Sequence, residues 1–433
     1  MVAKYIISCC YVILLKALVI FYSLHISFSF SISPTLRHDI SFSVDAIDQY
    51  YLKALSLSST TYLRCWYRTG GSHNDPSTAW VWGRDSQGEY YKLTGYWYNA
   101  VESKNMFYTD VSRLDVESAC INAVPSWVNH QDIIYFAADH HYSYNDTIWF
   151  NDKANVSRIN KMVSFGDSLS DTGNMFNASD WDFPNPHSWF VGHFSNGRVW
   201  TEYLALSRRI PLYNWAVGGA AGRNEYGLIT GIHAQVKSYL DYMHFVKNFN
   251  YESVLFTMEF GLNDFMNYDR ELSDVQEDFS NALNEIIRAG AKNILLLTLP
   301  DATVAPQFQY KTLEKKNRIR SQIENFNMTI KETVKRYNRE KVHIELFDTA
   351  KVLSDLIDQA LEKGFVNVKE PCLDIHRDDP IDYLSEHDLT DACKLHGADK
   401  YIFWGVTHPT TATYRYISDR INQESMQHFI FEQ

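Results

Sequence analysis

The feature that most constrains the fold of this chain is the alternation of short apolar runs and longer amphipathic segments after residue 160. In the segment Ser273–Ala289, for example, Val275, Phe279, Leu283 and Ile286 recur at helical spacing on one face. Apolar strands that alternate with amphipathic helices predict a parallel β-sheet covered by helices on both sides. Ligands of such folds bind at the carboxyl ends of the strands.

The predicted strands are Met162–Phe165, Ser253–Phe260, Asn293–Leu299, His343–Phe347 and Tyr401–Trp404. The predicted helices are Arg198–Arg208, His233–Lys247, Ser273–Ala289, Leu313–Arg336 and Ala350–Gly364. The sequence contains neither the P-loop pattern nor the dinucleotide-binding glycine pattern.

Residues 34–157 differ in composition from the rest of the chain. They are rich in Tyr and Trp in short alternating runs such as Tyr62–Tyr67 and Tyr96–Tyr98, separated by Gly-, Asn- and Pro-containing turn signals. This pattern predicts a small, mainly β domain. Its aromatic side chains either form the core of that domain or line a binding face for sugar, lipid or another protein.

The first 33 residues have the composition of an export signal. Lys4 and Lys16 supply positive charge, Ala17–Phe30 is an apolar run, and the serines near its end offer small residues for cleavage. A membrane anchor is the alternative, because Tyr5–Leu15 and Ala17–Phe30 together are long enough to span a bilayer. Lys16 argues against it. The expected organisation is a signal peptide at 1–33, the β domain at 34–157 and an α/β domain at 158–433, in a secreted protein.

Charge and cysteine content narrow the partners and the compartment. The net charge of −12 comes from 52 acidic and 40 basic residues without an evident basic stripe, which argues against nucleic acid. Contact with lipid would have to be apolar or through a zwitterionic head group.

Outside the signal, Cys65, Cys120, Cys372 and Cys393 allow three pairings. Export favours disulfides, and Cys65–Cys120 and Cys372–Cys393 are favoured because each closes a loop within one domain. Metal ligation is disfavoured because no C-x-x-C pair occurs.

Ser168 is the candidate nucleophile. It stands between small and acidic residues directly after the first predicted strand, where Gly166 and Gly173 permit backbone angles that other residues resist. The alternative is an ordinary turn, because turns favour Ser, Asp and Gly.

Three later segments offer partners for this serine. Gly219, within the small-residue segment Asn214–Gly222, can direct a bare backbone N–H at an oxyanion, or the segment can be a flexible loop or a site of tight helix packing on small residues. Asn263 follows the strand Ser253–Phe260 and can donate from its amide, or can form a turn. His408 precedes a proline, which restricts its backbone, and is either a base or a structural histidine.

Together, these blocks resemble the GDSL/SGNH hydrolase family, with Ser168, Gly219, Asn263 and His408 at its four signature positions over about residues 160–420. More closely, the chain is similar to the secreted phospholipases called thermolabile or lecithin-dependent haemolysins. That similarity includes the aromatic N-terminal region. The segments that carry it are Arg64–Thr69, Asn185–Phe190, Gly192–Gly197 and Asn214–Gly222. The resemblance implies a three-layer α/β/α domain with a parallel sheet, preceded by a small β domain.

The resemblance also implies a mechanism. His408 takes the proton of Ser168, whose Oγ attacks an ester carbonyl. The oxyanion is held by the N–H groups of Ser168 and Gly219 and by the amide of Asn263. Asp167 and Asp264 are expected to brace their loops. No metal or cofactor is required.

The implied function is hydrolysis of glycerophospholipid acyl esters, of the phospholipase A2 or lysophospholipase type, with haemolysis as the consequence. The expected partners are phospholipid and, transiently, a membrane surface. A glycerophospholipid–cholesterol acyltransferase and a broad-specificity esterase are alternatives with the same catalytic residues. A binding protein without catalysis is the alternative from a different class.

Gly405 is the departure from the family pattern. The family usually has an aspartate three residues before the histidine, where it orients the imidazole and stabilises its charged form. A carboxylate from another loop, a water or a bound anion could take that role. The favoured hypothesis is an anion such as chloride near His408, because Gly405 leaves both a gap and a need for negative charge.

Overall fold

The computed structural model describes residues 59–98, 105–153, 158–225, 229–337, 342–377 and 379–432. They all fall within one compact unit, Leu52–Gln433. The expected signal peptide at 1–33 lies outside the described residues. None of the helices that the structure describes is both long and apolar enough to cross a membrane.

The N-terminal region is mainly β, as the sequence predicts. Its six strands form one sheet of order β2-β1-β3-β4-β6, with β5 paired to β1. Neighbouring strands are antiparallel except for β4 and β6. The elements are β1 (Ser59–Arg68), β2 (Thr78–Trp82), β3 (Lys92–Trp97), β4 (Met106–Thr109), α1 (Arg113–Ile121), β5 (Ile134–Ala138) and β6 (Thr147–Phe150).

Aromatic side chains of this sheet join it to the rest of the chain. Trp149 and Tyr108 are fully buried. The ring of Trp149 stacks on Tyr213 with 3.9 Å between centroids, and the Tyr108 hydroxyl donates to the carbonyl of Tyr242 at 3.0 Å. Trp149 and Tyr108 are therefore core residues and not part of a binding face, because they pack against the α/β region.

The α/β region is built on a five-stranded parallel sheet of order β11-β10-β9-β7-β8. Four of its strands lie where the sequence predicts them. The fifth, β8, has only three residues, too few to give a period-2 pattern. The strands are β7 (Lys161–Gly166), β8 (Leu212–Asn214), β9 (Val254–Glu259), β10 (Asn293–Leu297) and β11 (His343–Phe347).

The predicted strand Tyr401–Trp404 needs a correction. Residues Tyr401–Phe403 do form a strand, β13, but it lies outside the five-stranded sheet. It pairs in parallel with β12 (Asn367–Pro371) in a separate two-stranded sheet. Because Lys369 and Glu370 of β12 are exposed, this partner has no apolar pattern in the sequence.

Five predicted helices are present, three of them shorter than expected: Arg198–Arg208 begins at Trp200, His233–Lys247 ends at Met243 and Ala350–Gly364 ends at Asp358. The predicted apolar face of Leu272–Ala289 is buried. The helices are α2 (Asn174–Ala178), α3 (Trp200–Arg208), α4 (Ile232–Met243), α5 (Leu262–Met266), α6 (Leu272–Ala289), α7 (Leu313–Tyr337), α8 (Thr349–Asp358), α9 (Asp391–His396) and α10 (Thr411–Glu424). The last of these, which follows His408 closely, was not predicted.

Candidate active site

Ser168 lies in a tight turn just beyond the carboxyl end of β7. The carbonyl of Asp167 accepts from the N–H groups of Ser170 and Asp171 at 3.1 and 3.0 Å, and its side chain accepts from Leu169 N–H at 3.0 Å. At Gly166, a Cβ would come within 2.5 Å of the Glu259 carbonyl oxygen, so this close strand contact requires glycine. These contacts fix the backbone of the turn that carries Ser168.

His408 meets this serine from the other end of the chain. Its Nε2 lies 2.7 Å from Ser168 Oγ, a distance suited to proton transfer. The segment is held because Trp404 N–H donates to the His408 carbonyl at 2.8 Å. Thr410 then caps α10 by accepting from Thr413 N–H. The structure thus brings the predicted nucleophile and base together.

The other nitrogen of His408 faces a tyrosine. Tyr383 Oη lies 3.0 Å from Nδ1. When Nε2 accepts the proton of Ser168, Nδ1 carries its own hydrogen and donates it to Tyr383. No carboxylate in the described parts of the chain shifts the pKa of His408, which burial alone lowers to about 3. The imidazole is therefore neutral at neutral pH.

The position of the missing aspartate is filled. A Cβ on Gly405 would lie 2.8 Å from Cη2 of Trp189, so the indole takes the expected empty space. The buried Nε1 of Trp189 has no hydrogen-bond partner among the described residues. Its ring centroid is 6.0 Å from that of His408.

Sequence reasoning missed Tyr383, for which no local signal exists. It noted Trp189 only as part of the segment Asn185–Phe190.

Three groups near Ser168 Oγ are candidate oxyanion donors: the N–H groups of Ser168 and Gly219 and the side-chain amide of Asn263. Gly219 adopts a φ of +81°, which favours glycine. Within the described residues, the N–H groups of Ser168 and Gly219 donate no hydrogen bond and remain available for a ligand. Asn263 Nδ2 donates to Ala220 O at 3.1 Å and to Asp167 Oδ2 at 3.3 Å, so an oxyanion would compete with these acceptors. The residues that carry the three donors, Ser168, Gly219 and Asn263, line one cavity.

Buried carboxyl groups support these loops. Asp171 Oδ2 accepts from Gly218 N–H at 2.7 Å, which ties the nucleophile turn to the loop that carries Gly219. Asp264 accepts from Gly222 N–H at 3.1 Å and pairs with Arg270 at 2.6 Å. Burial raises the pKa of Asp167 to about 7. Contacts of this kind position the loops, as the sequence led us to expect for Asp167 and Asp264.

The cavity beside Ser168 has a volume of about 580 Å³. Its lining is largely apolar, which suits a hydrocarbon chain next to a carbonyl. Apolar residues that line it include Leu169, Met175, Phe183, Ile229, Leu262 and Met266.

Both favoured disulfides are formed in the structure. Cys65 joins Cys120, and Cys372 joins Cys393. The second closes a loop that contains Tyr383, and thereby constrains the segment that contacts His408. Within the described residues, no group of three or more His, Cys, Asp or Glu side chains could hold a metal ion.

Comparisons with known proteins assign this site to a family. Residues 162–421 match the model of the GDSL-like lipase/acylhydrolase family, and residues 35–151 match the N-terminal domain of the Vibrio dual lipase/transferase. The thermolabile hemolysin of Vibrio parahaemolyticus is 50% identical over 366 residues, which is 84% of this chain and 88% of that protein. The chain belongs to the GDSL-like lipase/acylhydrolase family and is an esterase of the lipase class.

Two further similarities are weaker. The phosphatidylcholine-sterol acyltransferase of Aeromonas hydrophila is 32% identical over 151 residues, 33% of this chain and 45% of that protein. The crystal structure of the lipase/acylhydrolase from Enterococcus faecalis is 14% identical over 64% of this chain and 100% of its own, with a TM-score of 0.35. The latter similarity is too low to support any further conclusion.

Proposed function

We propose that this protein is a secreted phospholipase that hydrolyses acyl esters of glycerophospholipids and thereby lyses cells. The observation that carries the proposal is the 2.7 Å contact between His408 Nε2 and Ser168 Oγ beside an apolar cavity. The similarity to a hemolysin over most of the chain supports the substrate class. The two disulfides agree with an oxidising compartment outside the cell.

In this proposal Ser168 and His408 are the catalytic residues. His408 accepts the serine proton at Nε2 while Oγ attacks the acyl carbonyl, and it returns the proton to the departing lysophospholipid oxygen. The N–H groups of Ser168 and Gly219 and the amide of Asn263 hold the oxyanion. A water activated by His408 then cleaves the acyl-enzyme.

Tyr383 is a positioning residue in this mechanism. Its hydroxyl holds Nδ1–H at 3.0 Å and so keeps Nε2 directed at Ser168. A phenol is neutral, so it orients the imidazole without supplying the full charge that a carboxylate gives to the imidazolium.

We further propose that a halide binds near His408. The donor that supports it is the buried Nε1 of Trp189, which has no partner among the described residues and whose ring centroid lies 6.0 Å from that of His408. When bound, a halide supplies negative charge beside the imidazolium. Because Trp189 fills the space at Gly405, the support for the halide comes from this indole N–H and not from an empty space at that position.

Transfer of the acyl group to a sterol is a second candidate. It is favoured by the match of residues 35–151 to the N-terminal domain of a dual lipase/transferase and by the similarity to a phosphatidylcholine-sterol acyltransferase. The same acyl-enzyme serves both reactions, and the acceptor alone differs.

One experiment tests both candidates. Phosphatidylcholine vesicles with and without cholesterol are incubated with wild type and Ser168→Ala, and the products are identified by mass spectrometry. We expect free fatty acid and lysophosphatidylcholine from wild type only, and cholesteryl ester only if transfer occurs. Ser273→Ala, an exposed serine on α6, is the control. Haemolysis and ester cleavage that survive in Ser168→Ala would show that the function lies elsewhere, as in a binding protein.

A further inference from the structure

Exposed apolar side chains stand on a segment that lines the mouth of the cavity beside Ser168. This segment runs from Val304 through the start of α7, and it contributes Val304, Lys311 and Lys315 to the cavity lining. Large apolar side chains that face solvent here cost free energy unless another surface covers them. Those on this segment are Val304, Tyr310 and Leu313, with exposed fractions of 37%, 42% and 72%.

A second segment carries the same feature on another side of the mouth. The short helix Pro380–Tyr383 contributes Pro380 and Tyr383 to the cavity lining. Ile381 and Leu384, its exposed apolar residues, are 50% and 52% exposed. Two segments that are distant in sequence and line the same cavity therefore carry exposed apolar side chains. We call these five residues, Val304, Tyr310, Leu313, Ile381 and Leu384, the apolar rim.

The charge beside the apolar rim is opposite to that of the whole chain. The chain carries a net charge of −12, whereas residues 311–320 contain five Lys or Arg and one acidic residue. Arg318 and Lys315 both pair with Asp269, and Arg320 pairs with Asp301. Lys311 and Lys315 line the cavity itself. The net charge alone argues against attraction to an anionic lipid surface, but the side of the opening formed by residues 311–320 carries an excess of basic residues. The other side differs, since residues 379–388 contain four acidic residues and no Lys or Arg.

We propose that the apolar rim is a docking surface for a phospholipid bilayer, with Lys311 and Lys315 at the level of the lipid phosphates. This inference rests on the proposed function, since it delivers the acyl ester to Ser168. Leucine and isoleucine side chains partition into hydrocarbon, and lysines extend toward phosphates while their apolar stems remain in the interface. The arrangement of apolar side chains around the opening with cations at its edge fits a bilayer.

Vesicle flotation tests the apolar rim. All proteins carry Ser168→Ala, so that no lipid is consumed, and the vesicles are phosphatidylcholine alone or with a fifth of phosphatidylglycerol. We expect Leu313→Asp and Leu384→Asp each to lower the vesicle partition coefficient about 10-fold or more, because each removes a leucine from lipid. Leu361→Asp is the matched control: Leu361 is 78% exposed and does not line the cavity. We expect it to change partition less than about 2-fold.

The lysines are tested separately. Lys311→Gln with Lys315→Gln should weaken binding to the anionic vesicles more than to phosphatidylcholine alone, and the difference should shrink in high salt. Lys363→Gln with Lys369→Gln, both exposed residues, is the control. Thermal unfolding of every variant shows whether it is folded.

The outcomes separate the two proposals. Partition of the two rim variants equal to that of the Leu361→Asp control would overturn the docking surface. Light scattering that shows a dimer of the parent protein, broken by Leu313→Asp, would overturn it as well, because a second copy would then cover the rim. Hydrolysis of a short soluble ester by wild type and by Ser168→Ala is measured in parallel. Hydrolysis that does not depend on Ser168 would overturn the proposed function. The partition coefficients would still decide whether the apolar rim binds vesicles.

Discussion

The hydroxyl of Tyr383 lies 3.0 Å from Nδ1 of His408, while Nε2 of the same ring lies 2.7 Å from Ser168 Oγ. A neutral phenol thus stands where serine hydrolases commonly place a carboxylate. This contact can hold the ring in the correct orientation, but no carboxylate among the described residues gives the imidazolium a counter-charge. Substitution of Tyr383 and removal of halide separate these two effects.

Removal of the Tyr383 hydroxyl should slow the chemical step. In Tyr383→Phe the ring still packs against Trp189, but Nδ1–H loses its acceptor. A hydrogen bond is worth about 0.5–1.5 kcal/mol, so we expect kcat for a short p-nitrophenyl ester to fall about 2- to 10-fold with little change in KM. Tyr142→Phe, at a residue that is 87% exposed, is the control. An unchanged kcat would contradict the positioning role.

The pH profile should report the burial of His408. A base acts only when deprotonated, and burial lowers the pKa of His408 from 6.5 to about 3. Hydrolysis should therefore persist as pH falls through 6.5 and be lost as pH approaches 3, provided that circular dichroism shows folded protein. An acid limb of kcat/KM near 6.5 in halide-free buffer would refute this prediction.

Halide should move that acid limb. An anion beside the ring favours the imidazolium and so raises the pKa of His408. We expect chloride to increase kcat and to shift the acid limb to higher pH, whereas sulfate at equal ionic strength should do neither. Activity that is unchanged after exhaustive halide removal would exclude the halide.

The amide of Asn263 should contribute mainly to the transition state. Loss of one oxyanion donor typically lowers kcat by ~10²–10³, so we expect a fall of that order in Asn263→Ala. Asn267 is the comparison, because its Nδ2 donates to Asn263 Oδ1 at 2.7 Å and only fixes the amide. We expect Asn267→Ala to have a smaller effect on kcat. Equal effects of the two variants would argue that Asn263 has no direct contact with the oxyanion.

Restoring the family aspartate should not restore a triad. In Gly405→Asp the new Cβ would lie 2.8 Å from Cη2 of Trp189, and overpacking of this kind typically costs about 1–3 kcal/mol. We expect a lower melting temperature and no gain in ester hydrolysis. Trp189→Phe in the same protein provides space and should recover part of the loss. A rise in kcat for Gly405→Asp alone would show that the indole of Trp189 moves aside at little cost in free energy.

The disulfide Cys372–Cys393 should support activity as well as stability. It closes a loop of 21 residues around Tyr383, for which chain entropy predicts about 3 kcal/mol of stability. Replacement of both cysteines by serine should lower both the denaturation midpoint and kcat. The corresponding change at Cys65 and Cys120 should lower the midpoint only, since that bond lies in the β region. Equal effects on kcat would argue against a local role of the first bond.

Local sequence patterns were sufficient for most of the parallel sheet. The strands β7, β9, β10 and β11 consist mainly of apolar residues because helices cover both faces of the sheet, and such runs are visible without any tertiary information. The strand β8 is too short to show a pattern. The strand β13 was recognised, but its partner β12 was not, because exposed polar residues interrupt β12.

The sequence by itself determined the order of the chemical groups along the chain, since Ser168 and Asn263 each follow the end of their own strand. It also showed that Gly405 replaces an acid. Only the tertiary structure decided what surrounds His408. Tyr383 and Trp189 reach the imidazole from separate loops, and which side chains meet there depends on how those loops pack. For the same reason, only the folded chain shows that the two segments of the apolar rim contribute to one cavity.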